Sequence, residues 1–299
     1  MGLNDVFKAL KSEGYIIKPL DMYLLSLSAT DEDRAINVNA PSQIGGCLRS
    51  RYYARTGADS DPQSVDPRTR RIFDNGSGVH DRLQTYLEKC GILLMREVPI
   101  INDDYTIQGH TDGIIKLSNV ELGVLEIKSI NSRGFSELKS EKPDHKKQGL
   151  IYLYCLEEHR KFLKNKYPTE EKFKLSCLAR KRKYAKYYQH LKDGSKFTAE
   201  EKRQFQISLC MQADELLYHC DVPLTKVIFL YENKDTQDLK EYCVSSKETD
   251  SQETLNSILG ECSYLDNCVG KTHLVPPREG KNKSDNACRW CRFKIECWS

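Results

Sequence analysis

The stretch GHTDGIIKLSNVELGVLEIKS sets Asp112, Glu126 and Lys128 at intervals of 14 and two residues. Strand alternation puts Glu126 and Lys128 on one face, with Ile127 between them pointing into the core. An antiparallel hairpin turning near 118–120 brings Asp112 opposite Glu126. Two carboxylates and an ammonium then meet at one spot, and burying such acids is costly unless a divalent cation neutralises them. The pattern predicts an oxygen-donor site for Mg²⁺ or Mn²⁺. Such a cation polarises a phosphodiester, while a neighbouring lysine orients or helps deprotonate the attacking water and offsets charge building on phosphorus.

A second set of chemically able residues lies at CRWCRFKIECW, where Cys288, Cys291 and Cys297 follow C-x2-C-x5-C spacing. Three thiols are present where a tetrahedral or cubane metal site needs four. The chain has 12 cysteines and 299 residues. A chain of this length buries a core without staples, so metal binding outranks disulfides for the closely spaced set. Two sources of a fourth ligand are open. Cys262 and Cys268 repeat the x5 spacing and would close a local zinc site, whereas Cys47 in GGCLRSRYY is 241 positions upstream of Cys288. Cys90, Cys155, Cys177 and Cys210 fall inside apolar patterns and are expected to be buried.

The elements that must position these groups are readable from periodicity. Helices are expected over 4–28 and 42–56, followed by the polar loop GADSDPQSVDPRTR. A helix over 69–90 carries a stripe of Ile72, Val79, Leu83, Tyr86 and Leu87; Gly76 and Gly78 within it point to close approach by something bulky. Three strands follow in MREVPI, YTIQGHTDGIIKL and ELGVLEIKSI, then a helix in HKKQGLIYLYCLEE. Basic helices run to Tyr218, broken at YPTEE and KDGSKFT, and KVIFLYENK and LKEYCVSS make two late strands around a DTQ turn. A last helix over 251–262 leads by a loop to the cysteines. The order predicts one α/β domain with a helical insertion and helical additions at both ends.

Net charge is only +3, yet residues 160–203 hold 15 Lys and Arg against 5 acids. Tyr184, Tyr187 and Tyr188 interleave with those cations, a composition that suits phosphates and stacked bases and so points to nucleic acid. No apolar run approaches the roughly 20 residues of a membrane helix, and the N-terminus lacks a signal-peptide pattern, so a cytoplasmic protein without membrane contact is expected. No G-x-x-x-x-G-K-[ST] loop and no internal repeat is present.

GHTDG followed by LEIKS resembles the core of the PD-(D/E)XK nuclease superfamily, in its RecB-like branch. His80 in DNGSGVHDRLQ matches the branch's upstream metal-binding histidine, and Gln148 and Tyr152 in HKKQGLIYLY match its downstream Q-x-x-x-Y. The resemblance spans about 42–155 and resumes at the C-terminus; Thr111 stands where the superfamily name has proline. It implies a restriction-endonuclease-like core over about 68–245, with a mixed central sheet flanked by helices. It also implies that His80, Asp112, Glu126 and the Ile127 carbonyl bind the metal, that Lys128 assists the nucleophile, and that Gln148 and Tyr152 position the strand or the lysine.

The iron-sulfur subset of that branch, including AddB-type helicase-nucleases and the nucleases of CRISPR adaptation, resembles this sequence in having one cysteine before the core and C-x2-C-x5-C after it. This implies a [4Fe-4S] cluster on Cys47, Cys288, Cys291 and Cys297, clasping 42–56 to 285–299, with Zn²⁺ as the alternative. The implied activity is Mg²⁺- or Mn²⁺-dependent hydrolysis of DNA ends or single strands by an exonuclease. Phage or bacterial recombination, repair, replication or CRISPR adaptation would supply its protein partners. A structure-specific endonuclease, a DNA-end-binding scaffold and an iron-sulfur redox sensor are the alternatives. His110 is expected to be structural; Lys234 and Gln237, at a hairpin tip, could touch DNA, but the ordinary turn reading is favoured.

Overall fold

Apolar alternation builds five strands: β1 (Leu93–Asn102), β2 (Ile107–Lys116), β3 (Leu122–Ile130), β4 (Lys226–Asn233) and β5 (Leu239–Ser245). In the computed structural model they lie in one sheet in that order. The first three form an antiparallel meander, β4 runs parallel to β3, and β5 returns antiparallel to β4. The model describes residues 16–26, 35–59, 66–194, 196–272, 274–285, 288 and 291–299. Residues 4–15 and 27–28 of the first expected helix, 60–65 of the polar loop, and 286, 287, 289 and 290 of the expected clasp lie outside the described residues.

Helices α1 (Ile17–Ser26), α2 (Leu48–Thr56) and α3 (Pro67–Lys89) precede the sheet. The parallel β3–β4 connection carries α4 (Ser132–Glu137), α5 (Pro143–Lys166), α6 (Glu170–Leu175), α7 (Cys177–Tyr187) and α8 (Ala199–His219). Helices α9 (Thr249–Asn267) and α10 (Lys294–Trp298) follow β5. The start of α3 is set locally. Asp66 accepts the Thr69 N–H at 2.9 Å and Pro67 opens the first turn, where its missing donor costs nothing. Thr198 and Glu201 form a reciprocal capping box that starts α8.

The two faces of the sheet are covered by different helices. Val79 and Leu83 of α3 pack on Leu93, Ile115, Leu125 and Ile127, while Leu150, Ile151 and Leu153 of α5 pack over Val98, Ile114, Val124 and Phe229. The expected α/β class is met, with a mixed central sheet flanked by helices.

Gly149 lets α5 lie close to the sheet. A Cβ there would stand 2.6 Å from the Phe229 ring and 2.8 Å from Val227. Gly149→Ala is therefore expected to lower stability by about 1–3 kcal/mol despite its better helix propensity, because it overpacks a filled interface. The urea midpoint checks this.

Several sequence expectations are corrected. The segment 42–56 is not one helix: a single 3-10 turn over Pro41–Gln43 ends before Gly45, which takes φ +91°, and the α-helix starts only after Cys47. Ile72 and Tyr86 of the expected α3 stripe are 41% and 54% exposed, because the sheet meets only the middle of that helix. Among the described residues nothing approaches Gly76 or Gly78 within 4 Å of an added Cβ. Cys155 and Cys210 are buried, but Cys90 is exposed where Gly91 (φ +70°) turns the chain away, and Cys177 is half-buried at the start of α7.

The tyrosines of the basic stretch are corrected as well. Tyr184 and Tyr188, one turn apart, are 5% and 2% exposed because they face α8. The Tyr184 hydroxyl donates to Asp214 at 2.6 Å, and Tyr187 donates to Asp103 at 2.5 Å. They are packing and hydrogen-bonding groups, not open stacking faces. Their cations divide too, since Arg180 is buried against Asp214 and Phe173 while Lys181, Arg182 and Lys183 are exposed. Among the described residues, no helix is long and apolar enough to cross a membrane.

Candidate active site

The β2–β3 ladder runs from Lys116↔Leu122 to Gly113↔Leu125. Asp112 and Glu126 are the next residues beyond it, so they sit where the two strands stop pairing. Asp112 there turns its carboxylate to other partners. Its Oδ2 accepts the Ile127 N–H at 2.5 Å, and its Oδ1 lies 3.1 Å from Nδ1 of His80 on α3. The fully buried Gln84, one helical turn beyond His80, donates to the Asp112 carbonyl at 2.9 Å and to the Glu97 carboxylate at 3.0 Å. His80 is thus held to β2 by a helix that is itself tied to β2.

On β3, Glu126 is buried and pairs with the Lys128 ammonium at 2.5 Å. Lys128 donates to Gln148 Oε1 at 3.0 Å, and Gln148 Nε2 donates to the Tyr152 hydroxyl at 2.8 Å. Since Gln148 and Tyr152 are four apart on α5, one helix face presents both. Of the two positioning roles open for this pair, the geometry serves the lysine. Ile127 also makes a contact that the sequence did not indicate. Its side chain is buried under α3, and the contact made at Asp112 is by its amide.

The site opens into a cleft of about 580 Å³ that is lined by Phe73, His80, Glu97, Asp112, Ser129 and Lys234, among others. Two of these residues go beyond the sequence reading. Glu97 stands on β1 between the pairs Arg96↔Gly113 and Val98↔Thr111, and so faces Asp112 across the strands. Its φ of +50° is a left-handed backbone that a non-glycine strand residue rarely adopts. No periodicity signals such a position. Lys234, expected to be an ordinary turn residue, lines the cleft because β4 lies beside β3. Gln237 takes φ +62° and closes the turn with its N–H on Asn233 O at 2.7 Å. His110 lies 2.8 Å from Gln206 through its Nε2 and borders a separate groove.

Burial, then the Asp112 charge, push the Glu126 carboxyl up to about 7 against the pull of Lys128. For His80, burial works downward, but the Asp112 bond and the charges of Asp112 and Glu126 outweigh it, and the net shift is upward. The consequence for stability has a definite sign. Glu126 holds its proton more tightly folded than at its ordinary value of 4.5, so the stability present below pH 4.5 is lost as pH rises through 7. In EDTA the loss should be on the order of 3 kcal/mol between pH 4.5 and 8, and Glu126→Gln should flatten it. Urea unfolding across that range is the check.

The donor set suits a hard divalent cation: two carboxylates, one of them buried at energetic cost, beside an imidazole. Among the described residues no three His, Cys, Asp or Glu side chains already converge as a formed ion site. The carboxylates are instead engaged by the Ile127 amide, His80 and Lys128.

The cysteines form a second locus. Cys47, Cys288, Cys291 and Cys297 line one small cavity, flanked by Arg49, Tyr53, Arg278, Lys294 and Trp298. The Trp298 indole N–H is buried and has no hydrogen-bond partner among the described residues. The Cys291 Sγ lies 3.7 Å from Ser50 Oγ, and Arg49 reaches Cys297 Sγ at 3.9 Å. The chemistry of four thiols beside Arg49, Arg278 and Lys294 suits an anionic metal–thiolate group, while Glu279 lines the same cavity and, among the described residues, the thiols do not already converge as a formed ion site. Cys262 and Cys268 do not line that cavity. Cys262 is buried beside the Arg51 guanidinium, 3.6 Å away, and Cys268 packs among Tyr52, Leu265 and Phe293.

No protein-family model and no curated protein matches the chain. Among solved structures it is similar to the crystal structure of SSO0001, with a TM-score of 0.44 and 16% identity over 95% of this chain and 96% of that one. It is also similar to an alkaline exonuclease, LHK-Exo, from Laribacter hongkongensis, with a TM-score of 0.36 and 10% identity over 79% of this chain and 95% of that one. Likenesses this distant carry no chemistry to this chain, whose site must be judged on its own residues.

Proposed function

We propose that the protein is a metal-dependent DNA nuclease acting as an exonuclease on DNA ends or single strands. The observation that carries this reading is the meeting of Asp112 and His80, which line one open cleft, with the buried Glu126 and its partner Lys128 behind them. Asp112, Glu126 and His80 would hold Mg²⁺ or Mn²⁺, with the Ile127 carbonyl as a further ligand. When bound, the cation supplies Lewis-acid polarisation of the phosphodiester and a more acidic water. Lys128, fixed by Gln148, keeps a cation beside the attacked phosphate and a donor for the water. Lys234 at the cleft wall is placed to neutralise a flanking phosphate.

A [4Fe-4S] cluster on Cys47, Cys288, Cys291 and Cys297 is part of the proposal, with a structural role of joining α2 to the last helix. The soft-donor cavity and its flanking cations support it.

Digestion of 5′-labelled, 3′-labelled and circular DNA with Mg²⁺ and Mn²⁺ tests the activity. Release of label from linear DNA, with circles left intact, is expected. Nicked circles would replace the exonuclease with an endonuclease, and no digestion under either metal would overturn the assignment.

A further inference from the structure

Helix α3 turns Phe73, Gly76, Ser77, His80 and Gln84 towards the cleft, the spacing of one helix face. Only the second half of this stripe serves the carboxylate site. In the first half Phe73 is 59% exposed and Ile72 41% exposed, although both line the same cleft. Beyond them Gly76 leaves the face open, since a Cβ there would meet nothing within 4 Å among the described residues. An exposed flat ring, an open slot beside it and a cation lining the same cleft, Lys234, make up a stacking platform for a strand whose bases are free. Bases inside a duplex have both faces covered by their neighbours and offer nothing to such a ring.

The spacing fits. Phe73 precedes His80 by seven residues, about 10 Å along the helix, which is about three stacked base steps. We propose that Phe73 is a nucleobase platform that selects an unpaired strand, gripping a base two or three nucleotides from the phosphate held at His80 and Asp112. This rests on the nuclease reading and names its substrate class. Phe73 is a binding residue and takes no part in the hydrolysis.

The test compares wild type with Phe73→Ala, Phe73→Trp and Phe73→Leu on a short single-stranded oligonucleotide, on a blunt duplex, and on strands carrying one abasic residue at successive positions. Phe73→Ala should lower kcat/KM on the single strand by roughly five- to a hundredfold. Phe73→Trp should retain activity, Phe73→Leu should not, and the blunt duplex should be indifferent. An abasic residue two or three nucleotides from the cut should erase the difference between wild type and Phe73→Ala, a readout that a merely structural ring would not move. Wild-type cleavage with all variants equal overturns the platform and leaves the nuclease. If wild type cuts nothing, fluorescence anisotropy on the same strand decides: weaker binding by Phe73→Ala keeps the platform, and equal binding overturns it together with the nuclease.

Discussion

Glu126→Ala and Lys128→Ala should each cut Mn²⁺-dependent DNA cleavage by on the order of 10³-fold or more, with the fold retained. The two losses arise differently. Glu126→Ala removes a ligand and leaves Lys128 without the counter-charge 2.5 Å away. Lys128→Ala leaves a buried carboxylate that lacks its cation and holds its proton more firmly. Raising Mn²⁺ should therefore restore ion binding to Lys128→Ala without restoring its rate. Gln148→Ala, which only frees the lysine, should cost about 10- to 100-fold. Cleavage persisting in both Glu126→Ala and Lys128→Ala would sink the assignment. Circular dichroism of each variant separates lost chemistry from lost structure.

The second large effect is expected at the cysteines. Cys47→Ala should abolish iron binding in anaerobically purified protein and lower global stability by roughly 5 kcal/mol, the scale for opening a cross-link around a loop of this length in the chain-entropy view. Cys262→Ala and Cys268→Ala should keep their iron, as neither side chain lines the cavity shared by the other four. Iron content and the visible absorption of the three variants, together with denaturant midpoints, are the measurements. A colourless wild type carrying zinc and no iron would replace the cluster while leaving Cys47 as the fourth ligand. Iron retained by Cys47→Ala and lost from Cys262→Ala would reverse the ligand assignment.

What the sequence made legible was local. The Asp112–Glu126 apposition follows from strand alternation and one tight turn, and was readable because its geometry depends on residues close in the chain. Gln148 and Tyr152 were picked out by a resemblance to a family motif, not by periodicity. What escaped depends on distant partners. Lys234 reaches the cleft only because β4 pairs in parallel with β3 after a connection of five helices. Tyr184 looks like a stacking residue in the sequence, but Asp214, thirty residues away on α8, takes its hydroxyl and its ring goes into the core. Glu97 was invisible for another reason: its left-handed backbone contradicts the strand pattern around it, and sequence patterns record the rule, not the exception. The glycines of α3 misled: they suggest close approach by something bulky, but among the described residues nothing packs against them, and Gly76 instead lines the open cleft.

Helix α2 has a consequence for how the molecule is made. Arg51 and Arg55 are 3% and 6% exposed, and their guanidiniums are met by Glu261 at 2.8 Å and Asp266 at 2.6 Å on α9. The partners are 210 and 211 residues further along the chain. On a ribosome adding about 5–20 residues per second, those two cations wait roughly 10 to 40 s for the acids that let them be buried. The early helix therefore cannot dock until almost all of the chain has emerged, and the sheet, not the N-terminal segment, must be the first part to fold during synthesis.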